Sequence, residues 1–247
     1  MNIFEEEPKN WLDLQDKVAY VLEHCGYSVE TPKLIQTSRG CVEVDVYAES
    51  KDMIIVCECK YWESNIPQNI AFAFRTIVED IGANKGIIIA KKGFQSGVYC
   101  SIKNTNIETH TWNEFMELYK EKYLKTVIRQ FTRIQRKVFR LAYDKEEYWE
   151  YFDKLNIEQQ KYARTLQNQL LQLYHYVFFL CEMLRNEEDE EVGWNMEFVD
   201  ILITKSEESL QRKFGSYSSF FEYINVQIYE SISKFEELYK IEILSIK

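Results

Sequence analysis

Residues 41–60 read CVEVDVYAESKDMIIVCECK, and this stretch decides how the N-terminal half of the chain folds. In residues 42–46 valine alternates with acidic residues, whereas Met53–Val56 is a continuous apolar run. Both patterns are typical of β-strands, and the polar triplet at 50–52 is typical of a tight turn. The stretch therefore predicts a β-hairpin that pairs a strand over 41–48 with a strand that ends at Lys60.

The charged side chains of this hairpin are predicted to gather on one face of the sheet. Alternate residues of a strand share a face, so Glu43 points the same way as Asp45. Glu58 and Lys60 share a face of the second strand for the same reason. The short turn places the two pairs side by side, and we expect three carboxylates and one lysine to converge at one end of the hairpin.

Carboxylates held in this way are suited to a hard divalent cation such as Mg²⁺ or Mn²⁺, which prefers oxygen ligands and retains several water molecules. A nearby lysine can hold or polarise a water molecule, while the cation offsets the charge that builds up on a phosphate. The alternative is an ordinary solvated strand edge. That alternative does not explain why Glu58 and Lys60 follow so apolar a run, so we favour a site for phosphate chemistry.

Glycine and proline divide the chain into two halves. All three prolines and six of the eight glycines precede residue 98. Turn-rich sequence is typical of α/β folds, whereas long stretches without helix breakers are typical of helices. We therefore predict an α/β domain over residues 1–124, with a mixed sheet flanked by helices, and an all-α domain over residues 125–247.

Local signals predict the other elements. A helix capped by Asn10 or Asp13 ends at Cys25-Gly26. Apolar residues spaced by three and four predict helices in the C-terminal half over 151–185 and 220–244, and the acidic run at 187–191 predicts a loop between helices. The remaining elements of the N-terminal half are an extended segment over 27–35, a helix over 68–81, a buried strand over 86–90, a helix over 95–104, a strand over 107–110 and a helix from Trp112 to about Tyr123.

An arginine stripe is predicted on a helix at the start of the C-terminal half. Between Lys125 and Arg140 the chain has no acidic residue, and its arginines are spaced by four, three and four. Contact with nucleic-acid phosphates is one interpretation, and a solvated face paired with acids such as Glu150 is the other. The stripe consists of Arg129, Arg133, Arg136, Lys137 and Arg140, and an apolar face made by Val127, Phe131, Ile134, Val138 and Leu141 runs beside it.

Composition narrows the class of protein. The chain has 247 residues, of which 46% are hydrophobic, so wholesale disorder is excluded. Its formal net charge of −10 argues against a nucleic-acid binder that works by overall positive charge. The sequence has no secretory segment and no apolar stretch long enough to span a bilayer, so we expect no membrane association. Six cysteines without a paired framework predict reduced thiols and a cytoplasmic location.

Asp45 followed by Glu58-Cys59-Lys60 resembles the D-(spacer)-E-x-K pattern of the PD-(D/E)XK nuclease superfamily. The order of elements over about residues 10–124 is similar to that of the Mrr-like restriction endonuclease branch. The resemblance implies that Asp45 and Glu58 ligate the metal and that the backbone carbonyl of Cys59 completes its shell. It further implies that Lys60 assists the nucleophilic water.

The resemblance leaves the auxiliary residues open. Family members often carry a glutamate on the first helix, where this chain has Gln15 and Asp16. Glu43 is an alternative auxiliary acid. Trp62, two residues after the lysine, either stacks on a base or sugar or packs in the fold. A thiolate metal site at Cys57 and its neighbours is less favoured, because these thiols face away from Glu58.

The function implied by the resemblance is a metal-dependent endodeoxyribonuclease that acts in restriction or antiphage defence. Two alternatives stay open: a structure-specific repair or junction nuclease, and a non-catalytic DNA-binding or partner-binding protein on a nuclease-like fold. The helical half is expected to form a homo-oligomer interface or to meet a regulatory protein. A two-fold dimer would place two sites on the two strands of a DNA duplex.

Overall fold

The computed structural model describes residues 1–143, 145–186 and 194–243, with the backbone alone described at 145–147 and 149. The chain divides into two compact units. The N-terminal unit is Asn2–Thr126, and the C-terminal unit begins at Val127 and also includes Met1. Each unit has its own architecture and is described separately.

The N-terminal unit is built on a five-stranded mixed sheet with strand order β1-β4-β5-β6-β7. The pairs β1–β4 and β4–β5 are antiparallel, whereas β5–β6 and β6–β7 are parallel. The strands β2 and β3 form a separate antiparallel pair. The elements are α1 (Trp11–His24), β1 (Ser28–Glu30), β2 (Lys33–Thr37), β3 (Gly40–Val44), β4 (Val46–Ser50), β5 (Met53–Lys60), α2 (Gln68–Ile81), β6 (Lys85–Ala90), α3 (Ser96–Ser101), β7 (Ile107–Thr111) and the start of α4 (Trp112–Ala142).

Helices flank the sheet, as predicted. The helix α1 contacts β1, β4 and β5, and α2 packs on β6. Val56 and Ile88 form a buried cluster with Phe74 of α2, so the alternate residues of β5 and β6 point to the other face of the sheet. Asn10 begins α1 by accepting the backbone N–H of Asp13, and Gly82 ends α2 in the left-handed conformation. This mixed sheet confirms the predicted fold class.

The prediction of one continuous strand over 41–48 is wrong, because the chain bends at Asp45. The strand β3 ends at Val44 and pairs with β2, whereas β4 pairs with β5. The Asp45 carboxylate accepts the backbone N–H of Cys59 at 2.7 Å, and its carbonyl oxygen accepts the Thr31 hydroxyl at 2.9 Å. These bonds give the carboxylate and the carbonyl of Asp45 partners outside the ladder, which favours an interruption of the strand there.

The C-terminal unit is helical in its described residues, which confirms the predicted all-α class. The helix predicted to end near Tyr123 continues instead to Ala142, since α4 contains neither glycine nor proline. The helix predicted over 151–185 is interrupted, because Asn156 starts a new helix with a capping box to Gln159. The acidic run at 187–191 lies outside the described residues. The remaining helices are α5 (Lys145–Phe152), α6 (Ile157–Arg185), α7 (Met196–Leu210) and α8 (Tyr217–Tyr239).

Candidate active site

Asp45, Glu58 and Lys60 meet where β4 begins and β5 ends. Val46 lies opposite Cys57 in the β4–β5 ladder, so one further step of the register places Asp45 opposite Glu58. The Glu58 carboxylate forms an ion pair with the Lys60 ammonium group, and these side chains expose only 20% and 18% of their surface. The structure therefore brings together three of the four charged residues that the sequence predicts to converge.

Burial raises the pKa of both carboxyl groups. At Asp45 this effect of burial outweighs the opposing effects of the Cys59 N–H, the Lys60 charge and a hydrogen bond from the Trp11 side chain. At Glu58 burial is again the largest cause; the Lys60 charge and hydrogen bond lower the pKa in part, and the Asp45 charge raises it. Burial disfavours the ionised form of both carboxyl groups, so a cation bound between them would stabilise their charged form.

The available donors fit a hard divalent cation. Asp45 and Glu58 supply carboxylate oxygens. The N–H of Cys59 points to Asp45, and in an extended strand the carbonyl of the same residue points to the same edge. No cluster of three Asp, Glu, His or Cys side chains that could hold a metal occurs in the described parts of the chain. Two carboxylates suffice for Mg²⁺, which keeps several waters and takes further oxygens from substrate phosphates.

The cysteines of β5 do not offer a thiolate site. Cys57 and Cys59 are fully buried on the face opposite Glu58, and burial raises the pKa of both thiols. Protonated thiols are poor metal ligands. Cys41 lies exposed on β3, in the other sheet. The oxygen donors of Asp45, Glu58 and Cys59 are therefore the better set.

Of the two candidates on the first helix, the structure links Gln15 to the site. Gln15 is only 3% exposed, and its amide nitrogen donates to the Thr31 hydroxyl, which donates to the Asp45 carbonyl. The Gln15 Oε1 atom is buried and has no hydrogen-bond partner in the structure as described. Asp16 is exposed. Helical spacing alone does not distinguish these neighbours; their burial does.

The other predicted site residues lie apart from this cluster. Glu43 is exposed on β3, and its charge is the smallest of the causes that shift the pKa of Asp45. Trp62 lies two residues after the end of β5 and is 40% exposed. The arginine stripe belongs to the C-terminal unit, where Arg129, Arg133 and Arg136 are exposed and Lys137 and Arg140 are half-buried. All five residues of the apolar face beside it are buried.

Sequence reasoning missed two residues that contact Asp45. Trp11 and Thr31 each form a hydrogen bond with it, the first from α1 and the second from the segment between β1 and β2. Neither lies in the D-(spacer)-E-x-K pattern. Their approach depends on how α1 and that segment pack beside the β4–β5 pair, which no local pattern encodes.

A mixed sheet with flanking helices and with Asp45, Glu58 and Lys60 at the end of its β4–β5 pair is the arrangement that the resemblance to the PD-(D/E)XK nucleases implies. Residues 9–119 match the family model of the Mrr catalytic domain, described as restriction endonuclease. This match covers most of the N-terminal unit and confirms the resemblance to the Mrr-like restriction endonucleases.

Two further comparisons accompany this match. No curated protein matches the chain at a significant level. The crystal structure of a protein of unknown function, AF1548, aligns over 82% of this chain and 99% of its own, with 16% identity and a TM-score of 0.41. Among the described helices, none combines the length and the apolar character that crossing a membrane requires.

Proposed function

We propose that the protein is a metal-dependent endonuclease that hydrolyses phosphodiester bonds in DNA. The observation that carries this proposal is that Asp45, Glu58 and Lys60 lie close together and largely buried in a domain that matches restriction endonucleases. The proposed ligands of Mg²⁺ or Mn²⁺ are the carboxylates of Asp45 and Glu58 and the carbonyl of Cys59.

The protein's own groups have separate tasks in this proposal. A bound cation supplies Lewis-acid chemistry, which offsets negative charge on the phosphate. Lys60, held by its ion pair with Glu58, orients the attacking water and stabilises the charge that develops. The water oxygen bonds to phosphorus while the bond from phosphorus to one sugar oxygen breaks; the attacking water releases a proton to solvent, and the departing sugar oxygen takes one up from solvent. The Cys59 N–H holds Asp45 in place through the hydrogen bond at 2.7 Å.

The Gln15–Thr31 pair supports the backbone of Asp45 rather than its carboxylate. Because Thr31 donates to the Asp45 carbonyl, it helps to fix the bend that turns the carboxylate toward Cys59. The proposed auxiliary residue is therefore Gln15, with its unpartnered Oε1 as a further oxygen donor beside the site. Glu43 and Asp16, both exposed, are weaker candidates for that role.

The restriction endonuclease match also supports a role in defence against foreign DNA. In this proposal residues 1–124 form the nuclease domain, and residues 125–247 form a helical domain. The helical domain contributes phosphate contacts through the arginine stripe, and a dimer interface or a contact with a regulatory protein.

A plasmid assay tests the proposal. Supercoiled plasmid is incubated with the full chain and Mg²⁺ or Mn²⁺, and nicked and linear products are measured. Asp45→Ala, Glu58→Ala and Lys60→Ala should each reduce the rate by about 100-fold or more. Asp52→Ala is the matched control, because Asp52 is an exposed acid in the turn at the other end of β5.

The same assay separates the other functions. Cleavage that persists in the Asp45→Ala variant would place the chemistry elsewhere. No cleavage by the unaltered chain, combined with DNA binding that ignores Mg²⁺, would favour a non-catalytic binding protein. A strong preference for branched over linear substrates would favour a repair or junction nuclease.

A further inference from the structure

Two loops that follow β5 and β6 are joined into one platform beside Lys60. Lys60 and Ala90 are partners in the parallel ladder, so residues 61–67 and 91–95 leave the sheet side by side. The Lys91 N–H donates to the Lys60 carbonyl at 3.0 Å. The Ile66 N–H donates to the Gly93 carbonyl at 2.9 Å, and the Gln95 N–H to the Ile66 carbonyl at 3.0 Å. We call these two segments the loop platform.

The loop platform combines cations with aromatic rings. The Lys91 ammonium group lies 4.3 Å from the centre of the Tyr61 ring. Lys92 is exposed directly after it, and Trp62 is exposed directly after Tyr61. Tyr61 itself follows Lys60, so this surface begins one residue from the proposed catalytic lysine. Positive charge beside exposed aromatic rings is the combination that binds a nucleic-acid strand, through its phosphates and by stacking on its bases.

The Lys91 ammonium group already has an anionic partner. That partner is the carboxylate of Glu63, which takes the position that a phosphate of DNA would take. Lys91 forms an ion pair with Glu63, whose side chain is 73% exposed. An ion pair with one partner so open to water contributes little stability, so the partner of Lys91 can be exchanged at small cost. Glu63 therefore competes with a phosphate for Lys91.

We propose that Tyr61, Trp62, Lys91 and Lys92 form a subsite for the DNA strand that flanks the scissile phosphate. Lys91 and Lys92 bind backbone phosphates, Trp62 stacks on an unpaired base, and Tyr61 positions Lys91. Glu63 occupies Lys91 while no DNA is bound and is displaced when the strand enters. This assignment deepens the proposed function and rests on it, because the flanking strand is defined by the bond that is cut.

Binding of a labelled single-stranded DNA oligonucleotide, measured by fluorescence anisotropy without divalent cations, tests the two lysines. The full chain carrying Lys91→Ala and Lys92→Ala should bind about tenfold more weakly, and the slope of log affinity against log salt should decrease by about 1.4 in magnitude. Lys51→Ala is the matched control, since Lys51 is an exposed lysine in the turn at the other end of β5, about 25 Å away. A double variant that binds as Lys51→Ala does would overturn the assignment.

Two further variants test the roles of Glu63 and Trp62. Glu63→Gln should tighten binding several-fold, because it removes the competing carboxylate and keeps the side chain's size. Trp62→Ala should weaken binding of the oligonucleotide, and Trp62→Phe should restore most of it, because a phenyl ring still stacks. Weaker binding by Glu63→Gln would contradict the exchange, and equal binding by Trp62→Ala would contradict stacking.

This experiment fails separately from the plasmid assay. If the plasmid is cut but the lysine variants bind normally, the nuclease proposal stands and the subsite is wrong. If the plasmid is not cut but the lysine variants bind weakly, the loop platform binds DNA in a protein without the proposed chemistry. A duplex oligonucleotide of the same sequence gives the comparison for stacking, since a paired base cannot reach Trp62 in the same way.

Discussion

Two glutamate–lysine ion pairs lie close to the end of β5, and their glutamates differ in burial and in the direction of their pKa shifts. Glu58 and Lys60 are largely buried, and burial raises the pKa of the Glu58 carboxyl group. Glu63 is exposed and Lys91 is half-buried, and the hydrogen bond and charge of Lys91 lower the pKa of Glu63. The same two functional groups thus form a fixed pair at the end of the sheet and an exchangeable pair on the loop beside it.

The difference indicates separate tasks. A buried pair has little freedom to change partners, because each charge left alone would lie in a poorly solvated place. That rigidity suits a lysine that must orient a water molecule. An exposed pair separates at small cost, which suits a lysine that must release a carboxylate and take up a phosphate.

The largest expected difference between the pairs is in catalysis. Lys60→Met should reduce plasmid cleavage by about 100- to 1,000-fold, because it removes the charge that orients water and stabilises the transition state. Lys91→Met should reduce cleavage by less than about tenfold at saturating DNA, because it acts on binding. Initial rates over a range of DNA concentrations measure this contrast. Equal losses in the maximal rate would show that the two lysines share one task.

Binding of a divalent cation should raise the stability of the folded protein through Asp45 and Glu58, and not through Glu63. A ligand that binds the folded state at 100 times its dissociation constant adds about 2.7 kcal/mol to the free energy of unfolding. Thermal unfolding should therefore shift upward with Mg²⁺ or Mn²⁺ in the unaltered chain and in Glu63→Gln. The shift should be absent in Asp45→Asn. An undiminished shift in Asp45→Asn would place the cation elsewhere.

The lysines of the loop platform can also be compared with the arginine stripe, which is a basic surface in the C-terminal unit. Arg133→Glu with Arg136→Glu should weaken duplex binding by about tenfold at low salt and reduce the salt slope by about two. Lys205→Glu, an exposed reversal on α7, is the matched control. Binding and salt slope are measured by anisotropy, and a result equal to the control would favour the solvated-face interpretation of the stripe.

The smallest expected effect is on stability against pH without divalent cations. The raised pKa values of Asp45 and Glu58 mean that the folded state binds these protons more tightly than the unfolded state. Their contribution is thus complete below the unfolded pKa values and is lost as pH rises through the folded ones. Asp45→Asn should therefore gain melting temperature relative to the unaltered chain between pH 4 and pH 7.

Glu63 should show the opposite sign in the same series. Its lowered pKa means that the charged form is favoured in the folded state, so its contribution is present above the unfolded pKa and lost as pH falls. The melting temperature of Glu63→Gln should therefore be slightly below that of the unaltered chain at neutral pH, and this difference should disappear as the pH falls. Melting curves of both variants across the series measure the two signs, and the same sign in both would contradict the comparison of the pairs.

The core of the candidate site follows from sequence, whereas its periphery does not. The alternation in β5 and the spacing from Asp45 to Glu58 were enough to predict that Asp45, Glu58 and Lys60 meet. Strand alternation also groups Glu43 with them, because it does not reveal the bend at Asp45. That bend depends on bonds to Thr31 and Cys59. Such bonds arise only once the segments have packed, so strand periodicity does not reveal them.

Some of the differences in the helical half were readable from local signals. The continuity of α4 follows from the lack of any breaker between Trp112 and Ala142. The start of α6 follows from Asn156 and Gln159, a pair typical of a helix N-terminus. The contrast between Gln15 and Asp16 is different in kind. Which of two adjacent helical residues faces the sheet depends on how α1 packs, and only the structure establishes that.

The bend at Asp45 makes one side chain serve both the fold and the chemistry. Its carboxylate closes the gap left where the ladder is interrupted, by accepting the N–H of Cys59. Replacing it by alanine removes that acceptor, whereas asparagine keeps an oxygen in the same place. During evolution, replacement of Asp45 by asparagine is expected to abolish cleavage and to leave the fold intact. Replacement by a residue without this oxygen is expected to reduce both cleavage and the stability of the fold. Relatives that have lost cleavage are therefore expected to carry asparagine here more often than alanine.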